Sequence, residues 1–402
     1  MHHRRVVASD GVVLDPERLM GRLTDLAGPA WRPQEARLVR APGRVNLIGE
    51  HTDYNAGLVL PVAIGLETWI AFFPTDDRSV RLQTDGKGET AAFDLDAIGP
   101  RRGSWIDYVA GTAWALHQIG VPVRGLLGVV AADLPREAGL SSSASLELAS
   151  AWALAADARP ALSGLDLARA CQGAENDYVG VQCGLMDQFA VACGQPGAAM
   201  LLDCRSLDYR AVPLPRDLAL VVCHTGSRRR LGASAYNARR RMCEESVAAV
   251  AALRPEVRSL RDLGAGDLDW LAGVVEEEHF RRCRHVITEN ARVEATVAAL
   301  EGGDYDALGR AFAESHASLR DDYEVSSSEL DLLVQIATGT SGVIAARMTG
   351  AGFGGCTINL VRPEAVDRLR SAVAHEYRPA SGLEPSVLVV AAVAGAGEVD
   401  RA

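Results

Sequence analysis

The run from Leu126 to Ala156, LLGVVAADLPREAGLSSSASLELASAWALAA, constrains this chain more than any other stretch. Its opening has the length and composition of a buried strand and stops at Asp133-Leu134-Pro135. Its Ala-rich close is long enough for a helix. Between them lies a loop of small residues, with serines at 141, 142, 143 and 145. A helix start presents unpaired N–H groups and the positive end of the macrodipole, so an anion is stabilised there without a lysine. Glycine and serine let the backbone come close to a polyphosphate, and hydroxyls can ligate Mg²⁺. Serines are also ordinary N-caps, but three in succession exceed what one cap needs. A nucleophile elbow, G-x-S-x-G, fails on its own requirement, because Ser143 stands where the second glycine belongs.

The loop matters more because the chain has almost no lysine. Of 41 basic residues only Lys87 is one, and it sits in TDGKGET. That is neither a G-x-x-x-x-G-K-[ST] loop nor a V-A-I-K strand. Any phosphate site must therefore rest on backbone N–H groups, a helix terminus, arginine and metal. The net charge of -11 argues against a nucleic-acid or anionic-membrane surface. Arg228–Arg230 and Arg239–Arg241 are local exceptions, read as solvated charge. Eight cysteines without a C-x-x-C pair read as reduced, mostly buried thiols of a cytosolic protein. The start has no apolar h-region and no run approaches a membrane span, so a soluble cytoplasmic protein is expected.

A length of 402 residues suits two domains. Asp15-Pro16 followed by Leu19, Leu23 and Leu26 reads as a capped helix. LVRAPGRVNLI, TWIAFFP and SVRLQT predict strands, and Trp105 to Ile119 a helix. Residues 165–193 read as helical with a break around Gly180 to Gly184, and AAMLLDC as a strand. The Pro-rich, polar stretch from Arg210 to Pro215 marks the expected boundary between a domain of residues 1–212 and one of 213–402. The second half opens on the strand LALVVCH and continues through amphipathic helices between Ala235 and Ala337. It closes with CTINLV, PEAVDRLRSAVAHEY and SVLVVAAV, a β-α-β unit with proline near the first turn of its helix. The cluster MTGAGFGGC, Met348 to Cys356, lies between two expected strands, and taken alone it reads equally as a flexible turn.

In GRVNLIGEHTDYNAG, Gly43 to Gly57, the side chains of Val45, Leu47 and Ile48 must go inside. Arg44, Asn46, Glu50, His51, Asp53 and Tyr54 crowd the same stretch with hydrogen-bonding groups. One histidine without helical H-x-x-x-H spacing does not make a transition-metal site, and such a group suits a polyol better. Asp187, in CGLMDQFA, is flanked by Leu185, Met186 and Phe189, so its carboxylate needs a cation or donors nearby, or its pKa rises. Arg44 is a candidate partner. An aspartate so paired stays ionised at neutral pH and can accept a proton from a hydroxyl, as phosphoryl transfer to an alcohol requires. Glu175, in GAENDYVG, could complete a Mg²⁺ site opposite a serine, although taken alone it reads as a helix-surface acid.

These residues match a known family. GRVNLIGEHTDYNAG resembles the sugar-side motif of galactokinases, PREAGLSSSASLE the phosphate loop of the GHMP kinase superfamily, and TGAGFGGC its third, glycine-rich motif. With CGLMDQF and LLDCRSL between them, the matches keep the family's order from about residue 40 to 360. The resemblance implies ATP-dependent phosphorylation of the C1 hydroxyl of α-D-galactose with Mg²⁺, the first step of galactose catabolism. It implies a two-domain α/β (α+β) fold: an N-terminal domain like the second domain of ribosomal protein S5, a ferredoxin-like C-terminal domain, and the active site in the cleft between them. Asp187 would be the base, and Arg44 would keep it ionised and steady the transferring charge. Glu50, His51, Asp53, the backbone of Gly184, and Tyr236 in ASAYNARRR would hold the sugar. Gly139, Leu140, Ser141, Ser142, Ser143 and Ala144 would form the nucleotide loop, with Ser143 and Glu175 on Mg²⁺. Trp105, in WIDYVAG, would be the aromatic near adenine, with burial in the core as its alternative. A monomer or weak homo-oligomer is expected.

One position departs from the pattern. The family loop reads P-x-G-x-G-L-S-S-S-A, and Glu137 stands where its first glycine belongs. If that position needs φ > 0, glutamate costs about 1 kcal/mol there, and its charge is unfavourable near phosphates. Three rivals are weighed: a kinase for galacturonate, arabinose or N-acetylgalactosamine; a sugar sensor without catalysis, whose serine loop would be incomplete where SSSAS is intact; and a metal-dependent hydrolase on Glu50, His51 and Asp53, which lacks ligand spacing.

Overall fold

In the computed structural model of the chain, the Asp15 carboxylate accepts hydrogen bonds from the N–H groups of Glu17 and Arg18 and starts helix α1 (Pro16–Ala27). Leu19 and Leu23, one helical turn apart, are buried beneath it. The structure describes residues 14–28, 33–135, 138–155, 162–227 and 232–399; Glu137 and Arg228–Arg230 lie outside these.

Among the described residues, eight strands follow in the first half: β1 (Arg37–Asn46), β2 (Leu58–Val59), β3 (Pro61–Thr75), β4 (Ser79–Thr84), β5 (Thr90–Asp94), β6 (Gly125–Ala132), β7 (Ala198–Asp203) and β8 (Tyr209–Pro213). The second half adds β9 (Ala219–His224), β10 (Val343–Thr349), β11 (Cys356–Val361), β12 (Ser386–Val390) and β13 (Gly397–Glu398). β6, the strand read from LLGVVAAD, lies inside a sheet of order β13-β1-β3-β6-β4-β5, with β4 and β6 parallel. Helices α2 (Ile106–Gln118), α3 (Ser142–Leu154), α4 (Gly164–Gly173) and α5 (Met186–Cys193) cover one face of this sheet. α3 is buried along most of its length, because it runs between the sheet and the other three helices. A π-helical turn, Ala174–Val179, follows α4.

The second half contributes α6 (Gly232–Ala251), α7 (Leu268–Leu271), α8 (Glu277–Gly302), α9 (Tyr305–Asp321), α10 (Ser328–Gly339) and α11 (Val366–Ala372). Its sheet has the order β10-β11-β9-β12, antiparallel throughout. β9 stands between β11 and β12, so the closing strand-helix-strand unit is a split β-α-β, as in a ferredoxin-like domain.

Val45, Leu47 and Ile48 are all fully buried. They join Val293 and Phe312 of α8 and α9 and Val222 and Ile358 of the second sheet in one apolar core that spans both halves. The chain end returns to the first sheet: β13 pairs with β1 at Val39↔Glu398 and Arg40↔Gly397, and Arg37 Nε donates to Glu398 at 2.9 Å.

Candidate active site

A cavity of about 390 Å³ opens where the end of β1, the start of α3, the π-helical turn, the start of α5 and the β10–β11 loop converge. Arg44 points into it from β1. Its Nε and Nη2 donate to Asp187 Oδ1 at 2.9 and 2.6 Å, and its Nη1 donates to the Gly139 carbonyl at 2.6 Å. The other carboxylate oxygen of Asp187, Oδ2, accepts from Ser141 Oγ at 2.6 Å. Arg44 is nearly buried, while a quarter of the Asp187 side chain remains open to the cavity. Ser141 has φ 58°, a left-handed conformation that costs an L-residue roughly 1 kcal/mol. Its bond to Asp187 helps hold it there, as strained residues at functional sites are held by their surroundings.

Ser141 precedes α3 but makes no side-chain cap. The first N–H groups of α3 are therefore free for an anion where Ser142 and Ser143 line the cavity. Leu140 and Ala144 are buried in the cores on either side of the loop, so they shape it without lining the cavity.

Glu175 is buried, contrary to its reading as a surface acid, because the π-helical turn rolls it inward. It accepts from Gln188 Nε2 at 2.6 Å and from Ser143. Burial first, and the negative charge of Asp187 second, push its carboxyl up to about 7. Glu147, in α3, accepts from the same Gln188 amide at 3.0 Å, and its Oε1 has no partner. Burial and the neighbouring Glu175 raise its pKa well above the carboxylate range. Sequence reasoning missed Glu147 and Gln188. The available signal was the i, i+4 spacing of Ser143 and Glu147, which puts both on one helix face. Mg²⁺ takes oxygen ligands, typically one or two carboxylates with phosphate and water. A hydroxyl beside two buried carboxylates, one oxygen of which is unpartnered, is a donor set that suits it. Among the described residues no larger cluster of His, Cys, Asp or Glu converges as a metal site.

The opposite wall comes from the loop after β1. His51 has φ 63° and is pinned by Asn55, whose Nδ2 donates to the His51 carbonyl at 2.9 Å. Its Nδ1 lies 2.8 Å from the Tyr54 hydroxyl, and its Nε2 has no hydrogen-bond partner. Burial, then the nearby His285, lower its pKa well below the usual range, so the ring is neutral. Asp53 Oδ1 accepts from the Tyr54 N–H at 3.0 Å. Burial first, then Asp187, push its carboxyl up to about 6. Gly184 packs against Asp53 so closely that a Cβ there would lie 1.9 Å from Oδ2. Tyr236, on α6, completes this wall with its ring 5.5 Å from that of His51.

The glycine cluster between β10 and β11 is tied down at its start. Thr349 Oγ1 bonds both the N–H and the carbonyl of Asn46 at 2.9 Å, and the Gly350 N–H donates to Glu50 Oε1 at 3.1 Å. The buried Arg347 guanidinium lies against Glu50 and donates to the Leu47 carbonyl at 2.9 Å. Gly350 and Ala351 thereby line the cavity, so the reading as a flexible turn does not hold for them.

Trp105 does not line the cavity; it sits half-buried against the first core at the start of α2, and Tyr108 reaches the cavity instead. Arg239 and Arg240 are not simply solvated: Arg239 Nε donates to the Tyr323 carbonyl at 2.8 Å and Arg240 Nη1 to that of Gln182 at 3.1 Å. All eight cysteines are free thiols, and five are buried.

Known proteins share this arrangement. Residues 32–74 match the galactokinase galactose-binding signature, 107–195 the N-terminal domain of GHMP kinases and 296–379 their C-terminal domain. A galactokinase of Roseiflexus sp. (strain RS-1) is 46% identical over 362 residues, which cover 90% of this chain and 93% of that protein. The chain belongs to the galactokinase family. A family member from Chloroflexus aggregans is 43% identical, over 89% of this chain and 92% of its own length. The crystal structure of Lactococcus lactis galactokinase complexed with galactose superposes with a TM-score of 0.91 at 35% identity, covering 95% of this chain and 99% of that one. Methanococcus jannaschii mevalonate kinase, at 16% identity and a TM-score of 0.64 over 89% of this chain and 98% of its own, shares the fold.

Proposed function

We propose that this galactokinase-family enzyme transfers the γ-phosphoryl group of ATP to the C1 hydroxyl of α-D-galactose, with Asp187 as the base. One observation carries the assignment of the base. The Asp187 carboxylate, fixed by Arg44 on one oxygen and by Ser141 on the other, faces a cavity with a polyol-matching wall on one side and an uncapped helix terminus on the other. The C1 hydroxyl donates to Asp187, which takes its proton as the oxygen attacks phosphorus. Arg44 orients that carboxylate and steadies charge on the transferring group. Glu50, His51, Asp53, the backbone of Gly184 and Tyr236 hold the sugar. The α3 terminus, from Gly139 to Ala144, receives the phosphates. Ser143 and Glu175 are the residues that would hold Mg²⁺, which neutralises phosphate charge when bound. Trp105, half-buried outside the cavity at the start of α2, is assigned to the adenine side.

The domains are taken as residues 1–212 and 213–402. Among the described residues no helix is long and apolar enough to cross a membrane. We place the protein in the cytoplasm as a monomer or weak homo-oligomer.

The test is Asp187→Ala. Turnover should fall by roughly 10²–10⁴, the usual scale for a positioned base, while calorimetry still detects galactose binding. A near-normal kcat would remove Asp187 from this role. A sugar panel that preferred galacturonate, arabinose or N-acetylgalactosamine would overturn the substrate.

A further inference from the structure

Behind the sugar wall, three hydroxyl or thiol groups form a chain that ends on His51. His51 Nδ1 lies 2.8 Å from Tyr54 Oη, Tyr54 Oη lies 2.8 Å from Tyr323 Oη, and Tyr323 Oη lies 3.3 Å from Cys243 Sγ. Tyr323 and Cys243 are essentially inaccessible to water. A neutral imidazole has one N–H and one acceptor nitrogen, and each hydroxyl in the chain has one proton to give. The protons can therefore run in one of two directions, and the direction decides what His51 presents to the cavity.

We propose that the Cys243–Tyr323–Tyr54 chain holds His51 as its Nε2–H tautomer, so that the ring offers the sugar a hydrogen-bond donor, with Tyr54 and Tyr323 as positioning residues. This deepens the sugar-site reading above and rests on it only for the identity of the sugar.

Three observations support the direction. Run toward His51, the chain ends with a phenol donating to an imidazole nitrogen, a good acceptor. Run away from it, an imidazole N–H donates to a phenol oxygen, a poorer acceptor than the ring nitrogen. The bond to sulfur is weak in either direction, because S–H is a weak donor and S a weak acceptor, and the middle bond is the same, so the imidazole end decides. Second, Nε2 is buried without a hydrogen-bond partner in a ring that lines the cavity, whereas Nδ1 already has the Tyr54 hydroxyl. Third, the ring cannot easily turn over. It packs 4.6 Å from the Tyr323 ring and 5.5 Å from that of Tyr236, on a left-handed backbone tied by Asn55.

A fixed donor matters for selectivity because a buried group built to give a hydrogen bond is left unsatisfied by an analogue that offers no acceptor there. The consequence is chemical. Replacing the contacted sugar hydroxyl by fluorine, which can still accept weakly, should lose less affinity than replacing it by hydrogen.

The test uses the full chain with ¹⁵N-labelled histidine and no sugar, read by two-bond ¹H–¹⁵N correlation. Wild-type His51 is expected in the Nε2–H pattern. Cys243→Ser, which supplies a stronger donor at the chain's end, should keep it. Tyr323→Phe keeps the ring packing but removes the hydroxyl; it should give a tautomer mixture and raise galactose KM about three- to tenfold more than it lowers kcat, the scale of one hydrogen bond. An Nδ1–H pattern in the wild type overturns the proposal whether or not any variant folds. So does Tyr323→Phe with an unchanged spectrum. Because the spectrum is read without sugar, it stands or falls apart from the substrate assignment, which the sugar panel decides.

Discussion

Gly184→Ala is the smallest substitution that probes the sugar wall without touching the helix terminus. The added Cβ would lie 1.9 Å from Asp53 Oδ2 and 2.1 Å from its Cγ. Gly184 has no left-handed φ, so the penalty is steric and not conformational. To regain the 3.4 Å of ordinary contact the carboxylate must retreat by about 1.5 Å, three times the width of the usual N–H···O distance window. It cannot swing freely, because Oδ1 is held by the Tyr54 N–H at 3.0 Å. Any hydrogen bond from the sugar to Asp53 is therefore lost. A bond to a charged acceptor contributes about 1.5–3 kcal/mol, so galactose affinity should drop by roughly 10- to 150-fold. The α3 terminus is untouched, and the affinity for a non-hydrolysable ATP analogue should stay within about twofold. Calorimetric titration of both ligands into variant and wild type reads the two numbers separately. An unchanged galactose Kd would show that Asp53 is not a sugar contact. Equal losses for both ligands would show a general distortion instead.

The Asp53 carboxyl titrates near 6 against an ordinary 3.8, so between those values the folded chain holds a proton that the unfolded chain has released. Stability from this group falls as pH rises through that window, whereas galactose binding, which uses the ionised acceptor, strengthens: its KM should rise about tenfold per unit below pH 6, and a flat KM between 5 and 7 would contradict this. Arg347→Met leaves Glu50 buried without its cation and should cost about 3–5 kcal/mol in urea denaturation; a loss under about 1 kcal/mol would show that the pair is energetically idle. Arg44→Lys cannot serve both Asp187 and the Gly139 carbonyl from one planar group, so kcat should fall about 10- to 100-fold with galactose affinity kept. Wild-type kcat in that variant would mean that the bidentate geometry is irrelevant.

Much of the site was legible because its parts are local. GRVNLIGEHTDYNAG had to bury Val45, Leu47 and Ile48, and strand alternation then puts Arg44 on the face opposite Val45. The serine loop announced a helix terminus by composition. What stayed hidden depends on contacts between residues hundreds of positions apart. Nothing in MTGAGFGGC says that Thr349 will bond Asn46, or that Arg347 will lie against Glu50. Nothing in the last residues says that Glu398 will sit beside Val39. Glu175 looked like a surface acid because helical periodicity assumes 3.6 residues per turn, and the π-helical turn that carries it does not obey that period. Tyr323 lay in an unremarked stretch, SLRDDYEVSS, and acquires meaning only beside Tyr54.

The charges around the cavity suggest how nucleotide must arrive. Among the described residues, Glu50, Asp53, Glu175 and Asp187 line it against one guanidinium, that of Arg44, while His51 is held neutral. Glu147 adds a fifth carboxyl just behind the wall. The upward shifts of Asp53 and Glu175 come from burial first and from the charge of Asp187 second, so the crowding adds to a desolvation already present. A polyphosphate adds several more negative charges, and the α3 terminus answers with only about half a unit. Under the proposed mechanism, metal-free ATP is therefore a poor ligand and its Mg²⁺ complex a good one, since the cation offsets the phosphates and gives Glu175 a reason to release its proton. Nucleotide affinity measured by calorimetry should weaken at least about tenfold when the metal is chelated, with galactose affinity unmoved. Equal binding of ATP with and without Mg²⁺ would mean that the carboxylates do not face the phosphates at all, and the phosphate half of the assignment would have to move elsewhere in the cleft.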